Sequence, residues 1–200
     1  MSVRAACLIA AYLVGSFPTA LLVGGRRGHD PTAEGSGNPG ATNVYRIMGR
    51  RAGALVLCGD VVKGVAAALA GAAVFGRAGL LACGGLAVIG HCFPVGRWRH
   101  GGKGVATAAG VAVIAFPAVA ALALAVWFAV FLPRRKASAA SMAAIVVVPV
   151  GAAVTGRPGW EIATSAAIAG VVVLRHRSNV GRLLRGQEES LPSRPHRRAS

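Results

Sequence analysis

The chain has 200 residues, 54% of them hydrophobic, with a mean hydropathy of +0.59, which excludes a disordered chain and argues against an ordinary soluble domain. Its formal net charge is +16, from 22 Lys and Arg against 6 Asp and Glu. A nucleic-acid binder would gather that charge in a polar stretch. Here the basic residues sit between apolar runs, so the expected partners are membrane lipids and anionic substrates.

Residues 5–25 form the first predicted span. Arg4 and the apolar run after it loosely fit a signal peptide. No clear Ala-x-Ala cleavage site follows, so an uncleaved transmembrane helix is expected. A polar loop over 26–50 comes next, then spans over 52–75 and 78–95, with Asp60 and Lys63 inside the second. A short loop, 96–104, precedes 105–132, which reads either as one long helix or as two split near Pro117. Further spans follow at 137–155 and 160–174.

Charge decides between the two readings of 105–132. Two helices place Arg134, Arg135 and Lys136 on the same side as the polar loops, which puts eighteen basic residues on one side and three, Arg4, Arg77 and Arg157, on the other. Lys63 stays within the membrane. By the positive-inside rule the fold is an all-α polytopic bundle of about seven transmembrane helices, amino terminus outside and carboxyl terminus cytoplasmic. Residues 1–188 make a single membrane domain. The basic, Pro-containing tail 189–200 is expected to be disordered near the lipid surface.

Three polar segments then share the cytoplasmic side. In the first, Gly35, Gly37 and Gly40 permit positive φ and close approach, so successive amides can form an anion-binding nest. Ser36, Asn38, Thr42 and Asn43 add side-chain donors, Arg46 adds a planar cation, and Ala41 lies within the same run. A turn-rich connection with no ligand accounts for the same residues. The second segment sets His91 before Phe93-Pro94-Val95 and then Gly101-Gly102-Lys103-Gly104. It resembles a phosphate loop without being a Walker loop, since Gly104 stands where Ser or Thr would hold magnesium. Lys103 is a point charge for phosphate or a snorkelling lysine, and His91 a ligand or a structural histidine.

In the third segment Arg175, Asn179 and Arg182 recur at i, i+4 and i+7, with His176 and Asn179 at i, i+3. A helix continuing out of the membrane would set them on adjoining faces. A basic stop-transfer cluster is the plainer reading. Asp60 and Lys63, at i, i+3, are an ion pair of structural or functional kind. Cys7, Cys58, Cys83 and Cys92 have no metal-ligand spacing and read as small core residues, with no metal and no disulfide expected.

Taken together, the strings GSGNPGATNVYR (35–46), Asp60-x-x-Lys63-Gly64, Gly90-His91-x-Phe93-Pro94-Val95, Gly101 to Thr107, and His176-Arg177-x-Asn179-x-x-Arg182-Leu183 to Gly186-x-Glu188 resemble the bacterial acyl-phosphate-dependent glycerol-3-phosphate acyltransferase family (PlsY). The opening Tyr12 to Thr19 is similar too, so the resemblance covers almost the whole chain. It implies a multi-pass enzyme of the bacterial inner membrane with its site facing the cytoplasm. Such an enzyme moves an acyl group from acyl phosphate to sn-glycerol 3-phosphate, with no cofactor, no metal and no obligate protein partner.

By the same resemblance Ser36, Arg46 and Lys103 are the expected catalytic residues. Gly35, Gly37, Asn38, Gly40, Ala41, Thr42, Asn43, His91, Gly101, Gly102, His176, Asn179 and Arg182 are expected to bind substrate. Gly96, Arg99, His100 and Thr32 depart from the family pattern. A small-anion transporter and an inactive lipid-binding relative are the competing readings.

Overall fold

A computed structural model describes residues 2–96 and 100–191; Trp98, Arg99 and the tail from 192 onward lie outside them. Every regular element among the described residues is helical. The first apolar run does not stay whole: α1 (Val3–Ser16) ends at Phe17, and α2 (Thr19–Gly25) begins after Pro18. The single helix expected over 5–25 is therefore a broken one. Pro18 has no N–H to donate, and its ring clashes with the carbonyl four residues back. Phe17 takes φ −58°, ψ 126°, the extended conformation that a residue before proline prefers.

Helix α3 (Ala41–Cys92) is interrupted by non-helical backbone at Gly49 (φ 83°) and at Phe75–Gly76, where Gly76 has φ 67°. Residues 41–48, expected as loop, are its first helical turns. At 75–76 the chain reverses, and Gly71 and Gly79 meet backbone to backbone across the turn. The segments 50–74 and 77–92 thus match the second and third predicted spans. The region 105–132 is two helices, α4 (Val105–Ala115) and α5 (Pro117–Arg134), parted at Phe116 (φ −143°, ψ 66°). Pro117 starts α5 where its missing N–H costs nothing. Helix α6 (Ala137–Val154) packs between α5 and α7 (Gly159–Arg175). A turn at His176 separates α7 from the short α8 (Arg177–Leu184), so the helix expected to continue out of the bundle is broken there.

Backbones approach closely where small residues face each other. A Cβ on Gly64 would run into the Thr107 carbonyl, and one on Gly110 into that of Val61, which locks α4 onto α3. Val88, Cys92, Val111, Ile145 and Val172 form an apolar cluster at the 92 end of α3. The outward faces are apolar as well: Leu122, Leu124, Phe128 and Leu132 on α5, Val146, Val150 and Val154 on α6. The runs Val3–Gly25, Ala41–Cys92, Pro117–Arg134 and Ala137–Val154 are each long and apolar enough to cross a bilayer. The chain is a polytopic membrane bundle with its apolar surface outward.

Its two ends differ. At one end Arg4 lies over the Phe75 ring at 6.0 Å, and Arg77 and Arg157 lie over Phe116 at 5.0 and 5.7 Å. These are the three basic residues that charge alone set apart. The loop 26–40, residues 100–104, the Arg135–Lys136 turn and α8 occupy the other end. Helix α4 rises only about 16 Å, short of the ~30 Å hydrocarbon core, so the glycine turn before it is recessed. Gly101 and Gly102 are buried.

Candidate active site

The loop before α3 is folded by its own side chains. Glu34 accepts from the Asp30 N–H at 2.9 Å and meets His29 Nδ1 at 2.9 Å; Asp30 accepts from the Thr32 N–H and hydroxyl at 2.8 and 2.7 Å. Those Thr32 bonds hold the Asp30 carboxyl below its usual pKa. Asn43, 1% exposed, reaches back from α3, donating to the carbonyls of Pro31 and Glu34 at 3.0 Å each and accepting from the Ser36 N–H at 2.8 Å. Gly35 and Gly37 take φ 60° and 68°, and a Cβ on Gly35 would strike the Asn43 amide. Only glycine occupies Gly35 without strain. The Ser36, Gly37 and Gly40 amides all donate inside the loop. These amides are engaged inside a loop that leads into the start of α3, where the Asn43 and Val44 N–H groups both donate to the Gly40 carbonyl at 3.1 Å and the positive end of the helix dipole lies.

The second segment is held by the third. Arg175 donates from Nε to the Gly102 carbonyl at 3.1 Å and from Nη2 to the Gly101 carbonyl at 2.6 Å, with its guanidinium 5.3 Å from the Phe93 ring. Between these segments lies a cavity of about 280 Å³, walled by Ser36, Gly37 and Asn38 from the first, Phe93, His100, Gly101 and Lys103 from the second, and Leu174, Arg175, Arg177, Ser178 and Arg182 from the third. Segments separated by more than 50 residues of sequence thus share one polar chamber.

Lys103 makes no hydrogen bond or ion pair with any described residue. Burial lowers its pKa to about 8; Glu188 nearby raises it, while Arg182, Arg46 and Arg175 lower it further. Glu188 is the nearby counter-charge and already carries three donors. It accepts from Ser138 Oγ at 2.6 Å, Asn179 Nδ2 at 2.7 Å and Arg182 Nε at 2.8 Å. Burial pushes the Glu188 carboxyl up, but those three donors outweigh it and hold it below the usual range. His176 donates from Nδ1 to the Val172 carbonyl at 2.8 Å, which leaves Nε2 as an acceptor, and burial takes its pKa down to about 4. The chamber is therefore richer in cations than in carboxylates, and its one nearby described carboxylate, Glu188, already carries three donors, an electrostatic balance that suits anions.

A profile for glycerol-3-phosphate acyltransferases matches residues 5–186. The chain belongs to the glycerol-3-phosphate acyltransferase family. It is 40% identical over 188 residues to the Rubrobacter xylanophilus glycerol-3-phosphate acyltransferase, covering 94% of each chain. It is 44% identical over 187 residues to the one from Aromatoleum aromaticum, covering 92% of this chain and 94% of that one. The crystal structure of PlsY (YgiH), an integral membrane glycerol 3-phosphate acyltransferase, in its glycerol 3-phosphate form superposes with a TM-score of 0.91 at 36% identity, over 96% of this chain and 97% of that one. Its lysophosphatidic acid form gives 0.88 at 37% identity, over 94% and 95%.

Among the residues expected at the acyltransferase site, Ser36, Gly37, Asn38, Gly101, Lys103 and Arg182 wall the chamber. Gly35, Gly40, Ala41, Thr42 and Asn43 shape the loop or begin α3 behind it. His176 and Asn179 are buried beside it, with the Asn179 carbonyl oxygen lacking a partner among the described residues. His91 and Gly102 adjoin a smaller void with Asp60 and Lys63. Arg46 lies to one side, donating from Nη2 to the Glu189 backbone carbonyl at 3.2 Å.

Ser138 escaped the sequence reading, and Arg175 and Glu188, present in its strings, were given no structural part there. Ser138 and Glu188 form the hub, and Arg175 pins the glycine turn; only the approach of distant helices reveals them. Residues just past the boundary expected at 188 make contacts of their own. Ser190 Oγ donates to the Arg134 carbonyl at 3.3 Å, and the Leu191 N–H donates to that of Arg135 at 2.7 Å, so the segment 186–191 straps α8 to the α5–α6 turn.

Proposed function

We propose that this acyltransferase moves an acyl group from acyl phosphate to the 1-hydroxyl of sn-glycerol 3-phosphate, yielding lysophosphatidic acid and inorganic phosphate at the first step of phospholipid synthesis. The observation that carries the reading is the Lys103 ammonium, unpaired among the described residues, in a chamber lined by all three polar segments. Two phosphorylated substrates need such a surplus of cations.

Acyl phosphate is a mixed anhydride, so its leaving group is already activated. The 1-hydroxyl oxygen attacks the acyl carbon, and the bond from that carbon to the phosphate oxygen breaks. The electron pair departs with phosphate. Lys103, Arg182 and the Ser36 hydroxyl stabilise the charge as it develops, in a buried site where such contacts are strong. Arg46 and the start of α3 add positive potential at the edge.

The hydroxyl proton passes to a phosphate oxygen of glycerol 3-phosphate itself. Glu188 carries three donors that hold its carboxyl below the usual range, and His176, with its low pKa, is a weak base too, so both are poorer acceptors than a phosphate oxygen. A phosphate-lacking acceptor such as glycerol, reacting equally fast at saturation, would overturn that proton route.

The eighteen-to-three division of basic residues favours the bacterial cytoplasmic membrane, with the chamber facing the cytoplasm. The transport reading is weaker on one specific ground. The carbonyls freed where α1 breaks, those of Gly15 and Phe17, accept from the Lys63 ammonium at 3.2 and 3.1 Å and so offer no ion site.

The deciding experiment supplies palmitoyl phosphate, with and without sn-glycerol 3-phosphate, to purified protein in lipid and follows both products. Equal, acceptor-dependent formation of phosphate and lysophosphatidic acid is expected, with none from palmitoyl-CoA. Phosphate release without the lipid would mark a hydrolase. No turnover from folded protein would favour the inactive relative.

A further inference from the structure

The geometry points to Asp60, Lys63 and His91 as positioning residues for acyl transfer: a buried, charge-neutral triad that fixes the Gly101–Gly102 turn and, through it, Lys103. The inference rests on Lys103 contacting substrate phosphate, as proposed above.

Asp60, Lys63 and His91 are 3%, 6% and 9% exposed, well inside the bundle. The Lys63 ammonium lies 2.8 Å from Asp60 Oδ1 and 3.1 Å from His91 Nδ1, besides the two carbonyls that the Pro18 break releases. An ammonium only donates, so Nδ1 accepts and the imidazole is the neutral tautomer protonated at Nε2. One carboxylate, one ammonium and one neutral ring sum to zero charge. Such a group adds nothing to phosphate attraction; it fixes geometry.

What it fixes is the glycine turn. The His91 carbonyl accepts the Gly102 N–H at 3.0 Å, and a Cβ on Gly102 would collide with the His91 ring. Arg175 holds the carbonyls of the same two glycines from the other side. The residue after this doubly clamped turn is Lys103. The void beside the triad, reached by Thr19 and Pro39, is only about 20 Å³, room for about one water. His91 was expected to bind substrate; here it supports the turn that does.

The test is the pH profile of kcat/KM with both substrates well below their KM, so that it reports the substrate-free enzyme, in which no phosphate stands beside Lys103. The groups facing Lys103 are Glu188, Arg182, Arg46, Arg175 and His176. Wild type should lose activity above pH of about 8, where the buried Lys103 deprotonates. His91→Leu should lower kcat/KM about 10- to 100-fold at pH 7, the order expected for a misplacement near 1 Å. Its alkaline limb should also move up by a unit or more toward the ordinary lysine value of 10.5 as Lys103 regains water. His91→Asn, whose amide oxygen can stand near the Nδ1 position, should restore most of the rate and the limb.

If His91→Leu does not fold, Gly102→Ala displaces the same turn with the triad intact and should give the same signature. A limb that stays near 8 in the folded variants, whatever the rate, overturns the inference and leaves the triad a purely structural element. Lys103→Arg separates the two ideas. If it does not remove the limb near 8, the limb is not that of Lys103, and both the contact and its positioning fail. If it removes the limb while His91→Leu leaves it in place, only the positioning fails.

Discussion

The two ends of the bundle handle charge in opposite ways. At the end formed by Phe75–Gly76, Phe116 and Pro158, Arg77 grips Glu161 with two bonds, Nε at 3.0 Å and Nη2 at 2.7 Å, and Phe116 lies beneath two arginines. Glu161 is 4% exposed, with both oxygens occupied. At the other end Lys103, Arg175, Arg177 and Arg182 share a chamber whose buried carboxylate, Glu188, is already taken by Ser138, Asn179 and Arg182. A charge matched inside the protein holds helices together. A charge left unmatched in a buried place is unfavourable until an anion arrives, which is what makes it a site.

That contrast is broken most severely by Lys103→Ala. Loss of one preorganised donor should reduce kcat by about 10²–10³, with Arg46→Ala failing in the same direction. Both variants should insert and run as intact protein on gel filtration; near-normal acyl-transfer rates in either would remove that residue from the site.

Raising the pH should reproduce the lysine defect reversibly. The charged form of Lys103 prevails below its pKa of about 8, so kcat/KM should fall about tenfold per unit above it. At the opposite end Arg77→Met should instead cost stability, at the low end of the ~3–5 kcal/mol for breaking a buried pair, because a third of the Arg77 side chain is exposed. Thermal unfolding in detergent should report this, while the folded fraction keeps its turnover.

Ser138→Ala is a milder probe of the hub. Losing one charge-assisted bond should cost about 1.5–3 kcal/mol. Stability from Glu188 is present above the usual carboxylate pKa of 4.5 and is lost as pH falls through its lower folded value. Acid unfolding of Ser138→Ala should therefore begin at higher pH than in wild type. The smallest effect should come from Arg157→Gln, which gives up one exposed cation–π contact worth about 0.5–1 kcal/mol and should leave activity unchanged.

Much of this was legible in the chain because it is local. Apolar runs gave helices, and Pro117 with the Arg134–Lys136 cluster gave two helices where one long run was possible. The glycine-and-cation strings marked the loops that wall the chamber. The break at Pro18 was local too, yet it was hidden because the apolar pattern continues through it. The loop-tying role of Asn43 was hidden for another reason: an amide that serves a phosphate and one that ties a loop are the same residue in a sequence.

By itself, then, the sequence determined a polytopic helical bundle and which three segments carry polar chemistry, since both follow from hydropathy, backbone freedom or charge over a few neighbouring residues; the family came from the resemblance of whole strings. Only the tertiary structure decided the division of labour among them. Glu188 meets Ser138 across 50 residues, Arg175 meets the glycine turn across 73, and Lys63 meets the broken helix across 46. Those partners are chosen by which helices pack together, and a buried polar group must find its acceptor wherever packing brings one near.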